Sequence, residues 1–343
     1  MGEQADSTGH DVPTFLVEGG SDHAESAFRG HGGRRPRVLA HGGTGWKRLV
    51  QDAGCLYWAD AREGTITRLP KDGGIPLELA SRQQTPAGLA IADGFLYWTN
   101  ELSGTVVRMA AGGGEIETIA AGQDSPGPIA ADGVDVVWGN HGDNVSGALM
   151  KGGTDGRAPV KIASDQKYPR GIALDEQTIY WTNHGTKQPD YFQNGSVMKM
   201  PRALPPAGEK RKRVVVARPQ TAAEGIAVDE GWVYWTLFGG LPQSLRDGAV
   251  MRWRKRGGAP EVLVSDARSA MSIAVDATHV YWVESFRSAI RRVPKGGGEA
   301  ETIAEAAEAG RILPHGLTVD ERCVYWTVHD SRRAGGAVWK LAK

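Results

Sequence analysis

Residues 171–183 read GIALDEQTIYWTN, and residues 225–237 read GIAVDEGWVYWTL. In both stretches a small apolar run precedes an Asp, and a Tyr-Trp pair begins five residues after that Asp. An aromatic-Trp or Val-Trp pair recurs along the chain with the Trp residues 40, 40, 43, 54, 47 and 44 residues apart. Such a period is typical of repeat architectures. The seven pairs are Tyr57-Trp58, Tyr97-Trp98, Val137-Trp138, Tyr180-Trp181, Tyr234-Trp235, Tyr281-Trp282 and Tyr325-Trp326.

Each repeat predicts four short strands, A to D. The small apolar run is strand A, and the aromatic pair lies on strand B. Segments such as residues 197–200 (VMKM) supply strand C, and segments such as residues 301–304 (ETIA) supply strand D after a Gly-rich turn. Four antiparallel strands in about 40–45 residues are the unit of a propeller blade. The sequence therefore predicts an all-β fold, a seven-bladed β-propeller.

The two ends of the repeat region predict how the ring closes. The last repeat ends at residues 337–340 (AVWK) without a fourth strand, and residues 36–40 (PRVLA) have the pattern of the missing one. We expect this N-terminal strand to complete the last blade, which removes open sheet edges. Residues 1–33 are polar and rich in Gly and Ser, which predicts a disordered tail, and residues 34–343 form the propeller.

Charge and hydropathy limit the classes of partner. The 343 residues include 40 Lys and Arg against 40 Asp and Glu, a formal net charge of zero, which argues against a nucleic-acid partner. No apolar run is long enough to span a membrane. With Met1 as the start, the absence of a signal-peptide pattern predicts a cytoplasmic protein, and we expect a monomer.

Cys55 and Cys323 are expected to be free, buried thiols, because strands of facing sheets lie beyond disulfide reach.

The Tyr-Trp-Thr-Asn repeats, together with turns such as Pro-Lys-Gly-Gly at residues 294–297, resemble bacterial YWTD-like and NHL-like propeller repeats. Over roughly residues 36–343 they also resemble the seven-bladed virginiamycin B lyase family. This resemblance implies the fold first. It further implies a metal-assisted elimination that uses a histidine in a loop, and His315 matches that position. Where the family pattern has Glu at the end of the following strand B, this chain has Val328, with His329 beside it and Glu284 one blade away.

Strand order sorts the loops of a propeller onto two rims. The D–A and B–C connections share the rim we call the top, and the A–B and C–D turns share the bottom. The bottom carries the Asp series and the basic residues of the C–D turns, a pattern typical of solvated, regular turns. The top carries most of the histidines of the blades, namely His41, His141, His184, His315 and His329.

One register position on the top predicts catalytic residues. The residue before the strand-A glycine points towards the mouth of the channel, and it is chemically varied in blades 4, 5 and 7 as Arg170, Glu224 and His315. His315 is the expected general base, and Arg170 is suited to hold a carboxylate or an oxyanion. Glu224 is expected to be an acid or a metal ligand. The full set at this position is Lys47, Ala87, Gly127, Arg170, Glu224, Met271 and His315.

The ends of strand B and the long B–C loops predict further ligand contacts. His141 and His184 follow Asn140 and Asn183 in adjacent blades, so a divalent metal, the candidate cofactor, would have these two imidazoles as ligands. Tyr191 and Phe238 lie in the longest B–C loops and are expected to wall a pocket. The expected ligand-binding residues are His141, His184, Asn183, Glu284, His329, Tyr191 and Phe238.

Two functions follow from these patterns. The first is a small-molecule site at the top mouth, a lyase or hydrolase with or without a metal, which predicts that the polar side chains surround one pocket. The alternative is a non-catalytic propeller that binds a protein partner through a rim. That alternative predicts scattered histidines and aromatic loops exposed as a patch.

Overall fold

The computed structural model describes residues 27–43, 45–143, 145–155, 157–187, 192–206, 209, 212–240, 247–307, 312–330 and 335–343. This part of the chain forms 29 β-strands arranged in seven antiparallel sheets. Among the described residues, no helix has the length and apolar character needed to cross a membrane.

Each sheet is one blade, in which strand A lies nearest the axis and strand D lies at the outer edge. Blade 1 contains β3 (Trp46–Gln51), β4 (Cys55–Asp60), β5 (Thr65–Pro70) and β6 (Leu77–Ala80). Blade 2 contains β7 (Pro86–Ala92), β8 (Phe95–Asn100), β9 (Thr105–Ala110) and β10 (Glu117–Ala120). Blade 3 contains β11 (Pro126–Ala131), β12 (Asp135–Asn140), β13 (Gly147–Gly153) and β14 (Val160–Gln166). Blade 4 contains β15 (Pro169–Leu174), β16 (Thr178–Asn183), β17 (Gly195–Pro201) and β18 (Val214–Gln220).

The remaining blades follow the same order. Blade 5 contains β19 (Ala223–Val228), β20 (Trp232–Leu237), β21 (Ala249–Arg254) and β22 (Glu261–Ser265). Blade 6 contains β23 (Ala270–Val275), β24 (His279–Glu284), β25 (Ala289–Pro294) and β26 (Glu301–Ala306), with β1 (Phe28–Gly30) as a fifth, outermost strand. Blade 7 contains β27 (Ile312–Val319), β28 (Cys323–Asp330), β29 (Gly335–Ala342) and β2 (Arg37–Gly42).

The ring closes through the N-terminal strand, as predicted. Strand β2 pairs antiparallel with β29, with Arg37 opposite Lys340 and His41 opposite Ala337. The inner strands contact one another in a closed circle, from β3 through β7, β11, β15, β19, β23 and β27 back to β3. The seven-bladed prediction is therefore confirmed.

The predicted tail of residues 1–33 is corrected at its C-terminal end. Residues 28–30 form β1, which pairs with β26, and the Phe28 side chain is only 3% exposed. Its ring lies 5.5 Å from the Trp326 ring and 5.2 Å from the Trp339 ring, so the burial of one aromatic side chain ties this segment to blades 6 and 7. Residues 1–26 lie outside the described residues.

The repeated residues fill the space between blades and satisfy their own polar groups. The seven repeat tryptophans are at most 1% exposed. In blades 2 to 5 the indole N–H donates to a Gln side chain at the end of the preceding strand D or the loop after it, over 2.7–3.0 Å. In blades 2, 3 and 4 the same Gln oxygen accepts a bond from the Asn that ends strand B, namely Asn100, Asn140 and Asn183. These Asn residues therefore hold the scaffold.

The small residues of strand A let the inner strands approach the axis. A Cβ atom on Gly88 would lie 2.2 Å from the carbonyl oxygen of Gly127 in the next blade. The Thr after the repeat Trp bridges the two inner strands: Thr99 Oγ1 accepts from Gly88 N over 2.9 Å and donates to Gly127 O over 2.7 Å. The third residue of the Tyr-Trp-Thr pattern thus sets the spacing of the strands that carry the mouth residues.

The two cysteines are free, as expected, but they differ in burial. Cys323 is 7% exposed, whereas Cys55 is only partly buried because it begins β4 at the edge of the bottom rim. The expectation that both thiols are buried is corrected for Cys55.

Candidate functional site

A cavity of about 320 Å³, which we call the axial cavity, opens at the top of the channel. Of the seven residues predicted to face the mouth, six line it: Ala87, Gly127, Arg170, Glu224, Met271 and His315. The side chain of the seventh, Lys47, lies outside the described residues. Arg48, Glu101, His141, Tyr168 and Ser272 add polar groups to the lining.

A second space of about 220 Å³, the lateral cavity, adjoins the axial one beside blades 4 and 5. It is lined by His184, Phe192, Ala222, Phe238 and Gly239, and it shares Arg170, Glu224 and Met271 with the axial cavity. These shared side chains therefore form the wall between a polar compartment and a largely apolar one.

Arg170 and Glu224 occupy equivalent positions in adjacent blades, which brings their side chains together. Thr182 Oγ1 accepts from Gly171 N over 2.9 Å and donates to Glu224 O over 2.5 Å, so it fixes the distance between the two inner strands. Arg170 Nε then donates to Glu224 Oε2 over 3.0 Å. Glu224 is 7% exposed, so this ion pair lies in a largely dehydrated wall.

His184 completes a cluster of three charged or polar groups. Its Nδ1 lies 3.0 Å from Glu224 Oε1, a close contact whose geometry is not that of an aligned hydrogen bond. A carboxylate at Nδ1 favours the proton on that nitrogen and leaves Nε2 as the basic one. The arrangement of carboxylate, imidazole and open cavity is the one that general bases use.

The charges within this cluster set the ionisation of its members. Burial favours the neutral form of Glu224, but the Arg170 charge and the contact with His184 outweigh it and hold the pKa of Glu224 well below its usual range. The Glu224 charge in turn raises the pKa of Arg170. An ionised carboxylate does not donate a proton, so Glu224 fits the role of charge partner and not that of the general acid expected from the sequence.

A repeated backbone feature places the histidines over the cavities. Tyr168, in the D–A loop of blade 4, has a φ of +58°, a conformation that is costly for a residue with a side chain. Its carbonyl oxygen accepts from His184 N over 3.0 Å, and the carbonyl of Ser125 (φ +54°) accepts from His141 N over the same distance. Glu101, Phe238 and Ser285 are held in the same way in blades 2, 5 and 6. The residue directly after strand B is thus another position of the repeat that places side chains at the site.

Aromatic contacts join these side chains into one wall. The Tyr168 ring contacts His141 at 4.5 Å and His184 at 5.9 Å between ring centroids, and His184 contacts Phe192 at 4.6 Å. The Arg170 guanidinium lies 5.3 Å from the Tyr168 ring centre. The imidazoles are therefore held by packing, which keeps their orientation defined.

Other residues predicted for the site have different roles. Glu284 is fully buried and accepts bonds from Trp282 Nε1 and Arg291, each over 2.9 Å, so it takes the place of the Gln found in blades 2 to 5. Asn183 bonds to Gln166 and to Ser196. In the part of the chain that the structure describes, Asn183, Glu284 and His329 line neither cavity. Tyr191 lies outside the described residues.

The donor set does not fit the divalent metal expected at His141 and His184. The two imidazoles contact the Tyr168 ring that lies between them, and the nearest carboxylate to His184, Glu224, is neutralised by Arg170. Among the described residues, no group of three or more His, Cys, Asp or Glu side chains could hold a metal ion. A cationic guanidinium in the wall also opposes a second cation.

Sequence reasoning missed Arg48, although a signal for it existed. In each blade one residue of strand A pairs with the repeat Trp, and in blade 1 this residue is Leu49. The residue before it is Arg48, whereas the other six blades have a small residue at that position. Those residues are Gly88, Pro128, Gly171, Gly225, Ser272 and Gly316. From blade 1, Arg48 crosses to blade 4, where its guanidinium donates to Arg170 O over 2.9 Å. It lines both the axial cavity and the narrower channel below, so it forms the floor of the site.

Comparison with solved structures finds the same fold in other β-propellers. A streptogramin B lyase superposes with a TM-score of 0.69 at 15% identity, covering 93% of this chain and 99% of the lyase. A catalytically inactive virginiamycin B lyase from Staphylococcus aureus with quinupristin gives a TM-score of 0.68 at 16% identity over 92% of this chain and 99% of that chain. This chain shares their seven-bladed fold.

A gluconolactonase from Xanthomonas campestris is more distant, with a TM-score of 0.54 at 14% identity over 94% of this chain and 92% of that chain. No protein-family model matches the sequence. At these identities the likeness establishes the fold alone.

Proposed function

We propose that the top mouth is an active site that cleaves an ester or lactone bond of a small molecule by acid–base catalysis, as a lyase or a hydrolase. The observation that carries this proposal is a cluster in which Arg170 and Glu224, in the wall shared by two cavities, meet His184 of the lateral cavity. The named activities of two similar folds, streptogramin B lyase and gluconolactonase, support the class of reaction.

In this mechanism His184 is the base, in place of the His315 expected from the sequence. Glu224 holds the imidazole with Nδ1 protonated, so that Nε2 accepts the proton. In hydrolysis the proton comes from a water whose oxygen attacks the carbonyl carbon, and the ester C–O bond breaks as the alcohol leaves with a proton. In elimination the proton comes from the carbon next to the one that bears the ester oxygen, a C=C bond forms, and the carboxylate leaves. His315, which lines the axial cavity from blade 7, is the second imidazole available to hand a proton to the leaving oxygen.

The test is turnover of three probes by the wild-type protein and by His184→Gln. The probes are glucono-δ-lactone, quinupristin and a chromogenic nitrophenyl ester of hydrocinnamic acid. We expect cleavage of at least one probe, and a loss of about 10²- to 10⁴-fold in kcat/KM for His184→Gln. His279→Gln, which changes a histidine on the bottom rim, is the matched control and is expected to keep full activity. Equal rates for wild type and His184→Gln would overturn the proposal.

The alternative, a non-catalytic interaction propeller, has one observation in its favour. Leu102, Val145 and Phe286 are 75%, 54% and 51% exposed and lie in B–C loops of the top rim. Blades 2 and 3 are adjacent, but blade 6 lies elsewhere in the ring, so these side chains do not come from one continuous run of blades. If none of the three probes is turned over, and His184→Gln does not change the binding of any of them, the results would favour this alternative.

A further inference from the structure

The floor of the axial cavity carries a positive charge, Arg48, that forms no ion pair at contact distance among the described residues and feels the Glu224 carboxylate only from further away. Arg170 is matched by Glu224, but Arg48 forms a hydrogen bond only to a backbone carbonyl, Arg170 O. Burial and the neighbouring Arg170 charge lower the pKa of Arg48, although an arginine remains charged at neutral pH. An arginine at a position where the other six blades have Gly, Pro or Ser is unusual for a scaffold, since the repeat closes without it.

His141 provides a second, independent sign that a ligand binds in this cavity. It is 5% exposed, and neither ring nitrogen has a hydrogen-bond partner among the described residues. Its Nδ1 is 3.6 Å from Glu101 Oε1, beyond hydrogen-bond range. An unsatisfied buried polar group destabilises the fold unless a ligand satisfies it. A histidine that lines the same cavity as Arg48 is therefore available to donate a bond to a bound group.

The lateral cavity differs from the axial one in chemistry. Phe192, Ala222 and Phe238 give it an apolar lining, and it opens beside Met271, which also borders the axial cavity. A ligand that occupies both spaces would have a polar, anionic end and an apolar end.

From these observations we infer that the site takes an amphipathic carboxylate: its anionic group binds Arg48 and His141 at the floor of the axial cavity, and its apolar arm lies between Phe192 and Phe238. The inference rests on the proposed function for its setting, since a carboxylate is also what ester cleavage releases. It concerns binding, however, and is tested without turnover. The Arg48 guanidinium recognises a carboxylate through charge-assisted hydrogen bonds, which an amide of the same shape cannot match, and the imidazole of His141 adds a further N–H donor.

The experiment is calorimetric titration of the full-length protein with hydrocinnamate, its neutral amide hydrocinnamamide, and acetate. We expect hydrocinnamate to bind about 10- to 100-fold more tightly than the amide, because charge-assisted bonds contribute more than neutral ones. Arg48→Gln should remove this preference while leaving the amide affinity unchanged. Phe238→Ala should weaken the binding of hydrocinnamate but not that of acetate. Arg62→Gln, an exposed arginine of the blade 1 B–C loop, is the matched control with no expected effect.

A second variant keeps the inference testable if Arg48→Gln does not fold. His141→Leu removes the unpaired imidazole and should weaken hydrocinnamate several-fold without lowering the melting temperature. Equal affinity of wild type for acid and amide, or an unchanged preference in whichever of the two variants folds, would overturn the inference. If hydrocinnamate binds through Arg48 but no probe is cleaved, the proposed function fails and the carboxylate site stands. If probes are cleaved through His184 and the variants bind normally, only the carboxylate site fails.

Discussion

The two rims of this propeller use similar side chains in different roles. On the bottom rim, a cation after strand C of one blade pairs with the Asp of the preceding blade, and the same geometry repeats around the ring. Lys71 pairs with Asp320 at 2.9 Å, Lys255 with Asp175 at 2.6 Å and Lys295 with Asp229 at 2.5 Å, while Arg202 with Asp132 and Lys343 with Asp276 complete the set. At the top mouth, the ion pair of Arg170 and Glu224 occurs once, beside an imidazole and a cavity.

Repetition is what separates the two cases. In every blade except blade 2, the bottom Asp also accepts two backbone N–H bonds in its turn, as Asp229 does from Gly231 and Trp232. In five blades it accepts the hydroxyl of the repeat Tyr as well. Such an Asp is satisfied within the scaffold and has no capacity left for a ligand. Glu224 instead faces two cavities, and the residues around it break the repeat. An ion pair that repeats stabilises the blades, whereas one that occurs once marks a site.

The largest effect that we predict is on catalysis at the mouth. Glu224→Gln removes the charge that orients His184 and should lower kcat/KM on the cleaved probe by about 10²- to 10⁴-fold. The measurement is steady-state kinetics beside thermal unfolding, to show that the variant remains folded. A variant that folds and retains wild-type kinetics would remove the distinction between the rims.

The matched change on the bottom rim should affect stability alone. Asp229→Ala loses two turn bonds, the Tyr234 hydroxyl bond and the Lys295 ion pair, and should lower the free energy of unfolding by about 2–4 kcal/mol. Urea unfolding gives this value, and kinetics of the folded variant should equal those of wild type. A large loss of kcat in the folded variant would contradict the separation of roles.

The bottom rim should also weaken in acid. Burial raises the pKa of Asp320, but its bond to Lys71 and two backbone bonds outweigh burial and lower the pKa to about 2. Because the folded pKa is below the unfolded one, near 4, this stabilisation is complete above about pH 4 and is lost as the pH falls through about 2. Asp276 is shifted in the same direction by Lys343. Unfolding free energies measured from pH 6 to 2 should therefore fall, and Lys71→Met should flatten that fall by about 1 kcal/mol after allowance for solvent screening. Parallel curves for the two proteins would show that the pair contributes nothing.

The smallest predicted effect is a gain in stability. Ala111 and Thr154 occupy the position of the rim cations in blades 2 and 3, as their backbone bonds across the A–B turn show. Ala111→Lys should add an ion pair to Asp52 of blade 1 and raise the free energy of unfolding by about 0.5 kcal/mol. Thermal unfolding at low and high salt tests this, since a true ion pair weakens with salt. A loss of stability would mean that burial of the new side chain outweighs the pair.

The contrast between features that repeat and features that occur once also explains how much of the structure the sequence could predict. The blade number, the four-strand unit and the closure by β2 were predictable because the Tyr-Trp pair repeats with a period. The ring of mouth residues was also predictable, since it keeps a fixed register with the strand-A glycine. Phe28 was missed because a strand of three residues in a polar segment leaves no periodic signal.

Side-chain roles were less predictable than positions. Asn183 and Glu284 were expected to bind a ligand, yet both hold the scaffold. Asn183 donates to Gln166, 17 residues earlier in the preceding blade, and Glu284 accepts from the indole of Trp282 two residues earlier on its own strand. Arg48 was overlooked because it stands at the strand-A glycine position, one residue beyond Lys47, where the repeat predicts a small scaffold residue. Pairing across blades, such as Arg48 to Arg170 O, depends on ring geometry that one repeat does not show.

The most direct test of the account is a crystal structure of the protein with hydrocinnamate. We predict electron density in the axial cavity, with the carboxylate within hydrogen-bond distance of the Arg48 guanidinium and the phenyl ring in the lateral cavity beside Phe238. Ligand density on the bottom rim, or both cavities filled only by solvent at saturating hydrocinnamate, would contradict the claim that the mouth is the functional site.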